Sequence, residues 1–173
     1  MLRPSSKIFR LITRSILDNQ DQVLQMMRWR IANQQYYASQ PKITEESFRN
    51  WFDKYVFGVP KMLFWVLDDK GNPIGHMGLR FKEDACELDN VARGESGGKG
   101  RMGEALQALL KWVLKNVPTN KIYLRVLSTN DHAIAFYKKN GFVPKRKIIV
   151  RRGSPLRYLK MEYENSLYLC EGK

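Results

Sequence analysis

Apolar residues recur along this chain at two spacings, and the switch from one to the other lays out a series of strands and helices. Lys7 to Thr13 alternates as a first strand, and Asn19 or Asp21 can cap a helix running to about Ala32. Thr44 opens a second helix with Glu45 and Glu46 in its positive first turn. Its apolar residues Phe48, Trp51, Phe52, Tyr55 and Val56 recur at helical spacing, a stripe that reads as core before it reads as a ligand wall. Lys61 to Leu67 and Pro73 to Phe81 read as strands joined by the polar turn Asp68-Asp69-Lys70-Gly71-Asn72. Ala85 to Ala92 follows as a strand, Arg101 to Asn116 as an amphipathic helix, Lys121 to Leu127 as a strand and Asn130 to Lys139 as a helix. Phe142 to Arg151 and Leu156 to Tyr163 are two last strands turning at Arg152-Gly153-Ser154-Pro155, and the tail from Glu164 to Lys173 carries no assignment. The series predicts an α+β class, without repeats or linkers.

Composition narrows the setting. A chain of 173 residues with 43% hydrophobic content is expected to form a single domain over 1–173 with a real core. Its two cysteines, Cys86 and Cys170, show no metal or redox spacing and are too few for a disulfide scaffold, which suits a reducing cytosol and predicts no metal cofactor. The longest apolar run, Met62 to Leu67, is far short of a membrane span, and Met1 to Leu11 lacks the apolar centre of a leader. A cytoplasmic protein with no membrane partner is therefore expected. Thirty Lys and Arg against seventeen Asp and Glu give a net charge of +13, a field that attracts anions. With no helix-turn-helix, RRM or KH signature, a nucleic acid partner is disfavoured, and the charge is read as serving an anionic small ligand or, as the alternative, general solubility.

Two segments carry chemistry. Gly97-Gly98-Lys99-Gly100-Arg101-Met102-Gly103 opens a helix, where bare amides and the positive dipole end suit phosphates and Lys99 and Arg101 add charge. It is neither a P-loop nor a dinucleotide fingerprint. In Ser128 to Phe142, Asn130 starts a helix, Tyr137 returns to the same face seven residues later, Gly141 stops the helix and Phe142 re-enters the core. Together these segments resemble the second half of a GNAT domain, the superfamily of acyl-CoA-dependent N-acyltransferases. The resemblance implies a GNAT fold: a central mixed, mostly antiparallel sheet of about seven strands with splayed strands 4 and 5, flanked by about four helices. It implies acetyl-CoA as co-substrate and direct attack by a primary amine.

By the same resemblance, the cofactor-binding positions are the amides of Val91, Ala92 and Arg93, the loop residues Gly98, Lys99, Gly100, Arg101, Met102 and Gly103, and Asn130 and Tyr137. The phenol of Tyr137 is implied to protonate the leaving thiolate. The family's loop reads Gln or Arg, two residues, Gly, one residue, then Gly or Ala. Gly97, Gly100 and Met102 stand at those places, so two of the three depart while the amides remain. The segment Asp89 to Glu95 is one residue longer than the usual connection, which leaves the register at Val91 and Ala92 open by one.

The attacking amine must lose a proton. Ribosomal-protein N-terminal acetyltransferases of this superfamily carry a glutamate five residues before the motif Asn. Arg125 stands there, which cannot act as a base and is expected as an anion contact or a surface residue. His76, which titrates near neutrality, and Glu87, which alternates with Asp89 onto one strand face, are the catalytic base candidates, with Glu87 slightly preferred. On the acceptor side, Trp29 and Arg30, with Arg28, offer substrate contacts. The stretch from Phe142 to Met161 holds Lys145, Arg146, Lys147, Arg151, Arg152, Arg157 and Lys160 and no acid, a basic lip suited to a diphosphate. This layout resembles GNAT enzymes that acetylate nucleotide-linked amino sugars in bacterial glycan pathways. Such an amino sugar is the expected acceptor. The alternatives are acetylation of a protein N-terminus or lysine, and a non-catalytic module binding CoA or nucleic acid. Monomer and homodimer both stay open.

Overall fold

In a computed structural model the described residues are 7–37, 42–57, 61–119, 121–150 and 155–164. The expected turn over 152–154, the end of the strand at Arg151, the tail beyond Glu164 and Cys170 lie outside them. The elements are β1 (Phe9–Leu11), α1 (Gln20–Ala32), α2 (Glu45–Phe52), β2 (Lys61–Leu67), β3 (Pro73–Phe81), β4 (Ala85–Arg93), α3 (Arg101–Asn116), β5 (Lys121–Leu127), α4 (Asp131–Lys139), β6 (Phe142–Ile149) and β7 (Arg157–Tyr163). Short polar side chains start the helices by taking up orphan amides. Asn19 Oδ1 accepts the Gln22 N–H at 3.1 Å, and Thr44 and Ser47 form a reciprocal capping box at 3.1 and 2.9 Å. The second helix does not run on regularly through Val56, because α2 passes into a π-helical turn at Asp53–Phe57.

All seven strands join one sheet in the order β1-β2-β3-β4-β5-β7-β6, antiparallel except for the β4–β5 pair, whose crossover is α3. This is the mixed architecture expected from the resemblance. β2 is apolar along nearly its whole length because both its faces are covered. Phe64 and Val66 pack with Met77, Leu79 and Leu124 under Leu106, Leu109 and Leu110 of α3. Leu63, Trp65 and Leu67 face the other way, against Met26 and Trp29 of α1 and Phe48 and Phe52 of α2. Beyond the reach of α1 and α2 this second face turns polar: Lys61, Arg80, Glu87, Tyr123 and Glu162 are successive partners across five strands.

Two irregularities of the sheet shape its centre. β4 and β5 pair only over Ala85–Leu88 and Lys121–Leu124; beyond that β4 stays with β3 and β5 with β7, so a gap opens between them. The open register resolves as a bulge: His76 partners Ala92 and Gly78 partners Asp89, which sets Asn90 and Val91 together against Met77. Asn90 adopts φ +47°, a left-handed conformation that asparagine tolerates better than most residues. Among the described residues no helix is long and apolar enough to cross a membrane.

Candidate active site

The gap is the centre of the site. Over Asp89–Arg93 the edge of β4 that faced β5 has no strand paired to it among the described residues, so the amides on that edge have no ladder acceptor. Val91 is half-buried and Ala92 buried, and Arg93 is exposed with its guanidinium turned along the following loop, where it donates to the carbonyls of Glu95 and Gly97.

At the far end of that loop Gly97, Gly98 and Gly100 all have positive φ, and Gly100 is the N-cap of α3. A β-carbon on Gly98 would lie 2.8 Å from Ile74 Cδ1. Arg101 N–H bonds back to Gly98 O and Glu104 N–H to Gly100 O, both at 3.0 Å, whereas the amides of Lys99, Gly100, Met102 and Gly103 find no acceptor among the described residues. A turn of open N–H groups at a positive helix end fits the phosphates of a CoA-type co-substrate. Lys99 is exposed beside it; Arg101 is committed to Asp69 and Glu104, and the α-carbon of Gly103 faces Asn140 at the end of α4.

α4 follows β5 and packs against the start of β6. Asn130 caps it, its Oδ1 accepting the Ala133 N–H at 3.1 Å. Tyr137 packs edge-on between Phe136 and Phe142, 8% exposed. Burial first, and the Asp89 carboxylate second, raise its phenol above the ordinary value, which keeps it protonated. Asp89 is the first β4 residue without a β5 partner.

His76 lies on the other side of β4, 4% exposed, its ring stacked at 23° on Trp29. Its Nδ1 is 2.7 Å from the carbonyl oxygen of the bulge residue Asn90; a carbonyl only accepts, so Nδ1 carries the hydrogen and Nε2 the lone pair. Burial lowers its pKa to about 4, with Arg30 and Lys61 adding to the effect, and the ring is neutral near pH 7. Glu87 sits in the paired part of β4, before the gap. Its carboxylate takes Arg125 Nε at 2.7 Å, Lys82 Nζ at 3.1 Å and the Tyr123 hydroxyl at 3.3 Å. The structure thus brings His76 to the bulge, sets Asn130 and Tyr137 on the helix that follows β5, and joins Glu87 and Arg125 as an ion pair. Trp29 is buried with its N–H on Glu95, and Arg30 lies over the Trp51 ring at 3.9 Å.

The seven strands hold three carboxylates, and each meets two cations: Asp89 with Lys61 and Arg80, Glu87 with Lys82 and Arg125, Glu162 with Lys121 and Lys160. Lys61 and Arg80 went unnoticed in the sequence because only cross-strand register brings them to Asp89. The sole hint there was the alternation of Glu87 and Asp89. Among the described residues no group of His, Cys, Asp and Glu is placed to hold a metal ion.

Residues 10–143 match the model of the acetyltransferase (GNAT) domain. Protein YxbD of Bacillus subtilis (strain 168) is 31% identical over 84 residues, 46% of this chain and 48% of that protein, so the match spans about half of that relative. The spermidine N-acetyltransferase of Vibrio cholerae, solved in complex with CoA and spermine, superposes with a TM-score of 0.71 at 21% identity, covering 93% of this chain and 96% of that one. A chimera of the Vibrio cholerae spermidine N-acetyltransferase SpeG with hSSAT gives 0.70 at 22%, covering 95% and 99%. At such identities these structures speak for the fold alone.

Proposed function

The chain belongs to the GNAT acetyltransferases, and from that premise we propose that it moves an acetyl group from acetyl-CoA to the primary amine of a small, anion-bearing acceptor. The observation that carries the reading is the gap between β4 and β5, with Tyr137 held protonated on the helix that follows β5.

When bound, acetyl-CoA supplies the acyl group as a thioester. The open amides of Lys99, Gly100, Met102 and Gly103 would hold its phosphates, with Lys99 adding charge, and the amides past the bulge, over Val91 to Arg93, would line the arm and donate to the thioester oxygen. Asn130, the cap of α4, would contact the amides of the arm. The amine nitrogen forms the new C–N bond as the C–S bond breaks, and Tyr137 gives its proton to the departing sulfur. His76 is better placed than Glu87 to take the proton the amine sheds, because its Nε2 lone pair is unprotonated whereas Glu87 is tied to two cations. With a pKa of about 4, His76 holds that proton only transiently before passing it to solvent.

The anionic acceptor is supported by the two-to-one excess of cations over carboxylates along the sheet face, and by exposed Lys145, Arg146 and Lys147 on β6. A nucleotide-linked amino sugar is one such amine. The solved relatives are named for spermidine; a polyamine would need carboxylates still unclaimed, and the three on the strands are each held by two cations. A cytoplasmic setting, with the Cys86 thiol free and buried, goes with this reading.

The test is a thiol-release assay with acetyl-CoA and four acceptors: a nucleotide-linked amino sugar, an α-amino acid, spermidine and an N-terminal peptide. Release above hydrolysis with an anion-bearing amine is expected. Release with spermidine alone would replace the acceptor class, and none with any amine would remove the enzyme reading.

A further inference from the structure

Lys61 on β2 and Arg80 on β3 are direct cross-strand partners, and both reach the same atom of β4. Lys61 Nζ lies 2.7 Å and Arg80 Nη2 3.0 Å from Asp89 Oδ2, while Asp89 Oδ1 accepts the Asn90 N–H at 2.7 Å. Both oxygens of the carboxylate are committed, and the cations are not satisfied. The Lys61 side chain is wholly buried, and beyond its ion-pair contact with Asp89 its ammonium, with three donors, meets no other acceptor among the described residues. Arg80 Nε is likewise sealed without one. The contact with Asp89 balances charge and leaves donors of both cations unused.

A third cation stands close. Arg30 of α1 lies over the Trp51 and Tyr37 rings at 3.9 and 4.8 Å, and its field reaches both Asp89 and His76. Two cations on one carboxylate leave a surplus positive charge in a poorly hydrated place, where an unbalanced ion is costly. The cluster is nevertheless open on one side, since the Arg80 and Asp89 side chains are 31% and 23% exposed. Asp89 also precedes the bulge residue whose carbonyl holds His76, so the cluster borders the place where the amine must react.

Building on the acetyltransferase reading, we propose that Arg80 and Lys61 form a subsite for an oxyanion, carboxylate or phosphate, carried by the acceptor near the amine that is acetylated. The Arg80 fork takes the oxyanion, Lys61 supplies charge from beneath, and Asp89 holds both cations in position. The acceptor class is then an amino acid or an aminoalkyl phosphate, whereas a second ammonium would meet like charge.

The test has a binding arm and a turnover arm. The full chain, its phosphate loop filled with CoA, is titrated with inorganic phosphate and with acetate while its melting temperature is followed. At least one anion should stabilise the wild type, and Arg80→Gln should abolish the effect. In turnover, an α-amino acid is compared with its carboxamide, and O-phosphoethanolamine with ethanolamine. The charged member of at least one pair should have a kcat/KM about 30-fold higher, falling to near parity in Arg80→Gln, with Arg80→Lys between. The pair that discriminates names carboxylate or phosphate as the natural group. Acetylation without preference for the charged amines, or a preference and a stabilisation that both survive Arg80→Gln, would overturn the subsite. If no amine is acetylated the enzyme reading fails instead, and the anion titration still decides the subsite.

Discussion

The indole of Trp29 donates its Nε1–H to Glu95 Oε1 at 2.8 Å, tying the acceptor-side helix α1 to the loop that leads into α3. Two further contacts brace the same joint. Asn33 Nδ2 donates to the Arg93 carbonyl at 3.3 Å, and Gly94 lies so flat on the indole that a β-carbon there would fall 1.9 Å from Cδ2. These contacts tie α1 to the start of the loop between β4 and α3.

Trp29→Phe keeps a ring in that slot and deletes the donor. We expect about 1 kcal/mol of lost stability and a KM for acetyl-CoA raised several-fold with kcat nearly unchanged, read from denaturant melts and initial rates. A KM that stays put would mean that the bond serves packing alone.

Gly94→Ala drives a methyl group into the indole. The loss of stability should reach at least the roughly 1–3 kcal/mol of an overpacked core, and Trp29→Ala in the same chain should recover part of it. Chemical denaturation of the single and double variants measures both.

Tyr137→Phe preserves the packing against Phe136 and Phe142, so the melting temperature should stay close to that of the wild type. Loss of the proton donor should lower kcat about 100-fold, with little change in the KM for acetyl-CoA. A kcat within a factor of two of the wild type would assign sulfur protonation to solvent.

His76 makes stability depend on pH. Folded, its pKa is lowered from 6.5 to about 4 by burial, so between those values the unfolded chain binds a proton that the folded chain does not. The stabilisation is complete above pH 6.5 and is lost as pH falls toward 4, at up to about 1.4 kcal/mol per pH unit and roughly 3 kcal/mol in total. Denaturant midpoints measured across that window should show the slope in the wild type and a flatter line in His76→Gln. Asp89 acts later: burial opposes its ionisation, but Lys61 and Arg80 hold it below the usual carboxylate range, so its share goes only at lower pH.

Glu87→Gln separates base from brace. Arg125 and Lys82 are 42% and 45% exposed and can turn to water when the carboxylate goes, so the loss should be about 1–2 kcal/mol, less than for a sealed pair. Turnover per folded molecule should stay within about threefold of the wild type. A collapse of kcat together with loss of the acidic limb of its pH profile would restore Glu87 as the base.

Much of the framework was legible from periodicity. Lys61–Leu67, Pro73–Phe81, Arg101–Asn116 and Lys121–Leu127 coincide with the elements found, because strong alternation or a long apolar stripe is bounded in each case by turn or cap residues. β1 is shorter than the alternation from Lys7 to Thr13 suggests: it is an edge strand, and the chain leaves the sheet for a 3₁₀ turn at Arg14–Asp18. The glycine loop and the Asn130-to-Tyr137 spacing were readable as local patterns. What was not readable depends on neighbours distant in sequence. The neutral state of His76 comes from burial under Trp29, the ion pairs of Glu87 from residues on β5 and past β3, and the Lys61–Arg80–Asp89 cluster from the pairing of three strands. The tie from Trp29 to Glu95 spans 66 positions and leaves no local trace.

The bulge at Asn90 reverses the parity of β4 midway. Before it Glu87 and Asp89 join the charged row, and after it Ala92, an even-numbered residue, stands opposite His76. Deleting that one residue would leave every strand able to form while turning the following amides half a revolution away from the cleft. A graft of this segment into another scaffold must therefore preserve its count of residues before it preserves their identities.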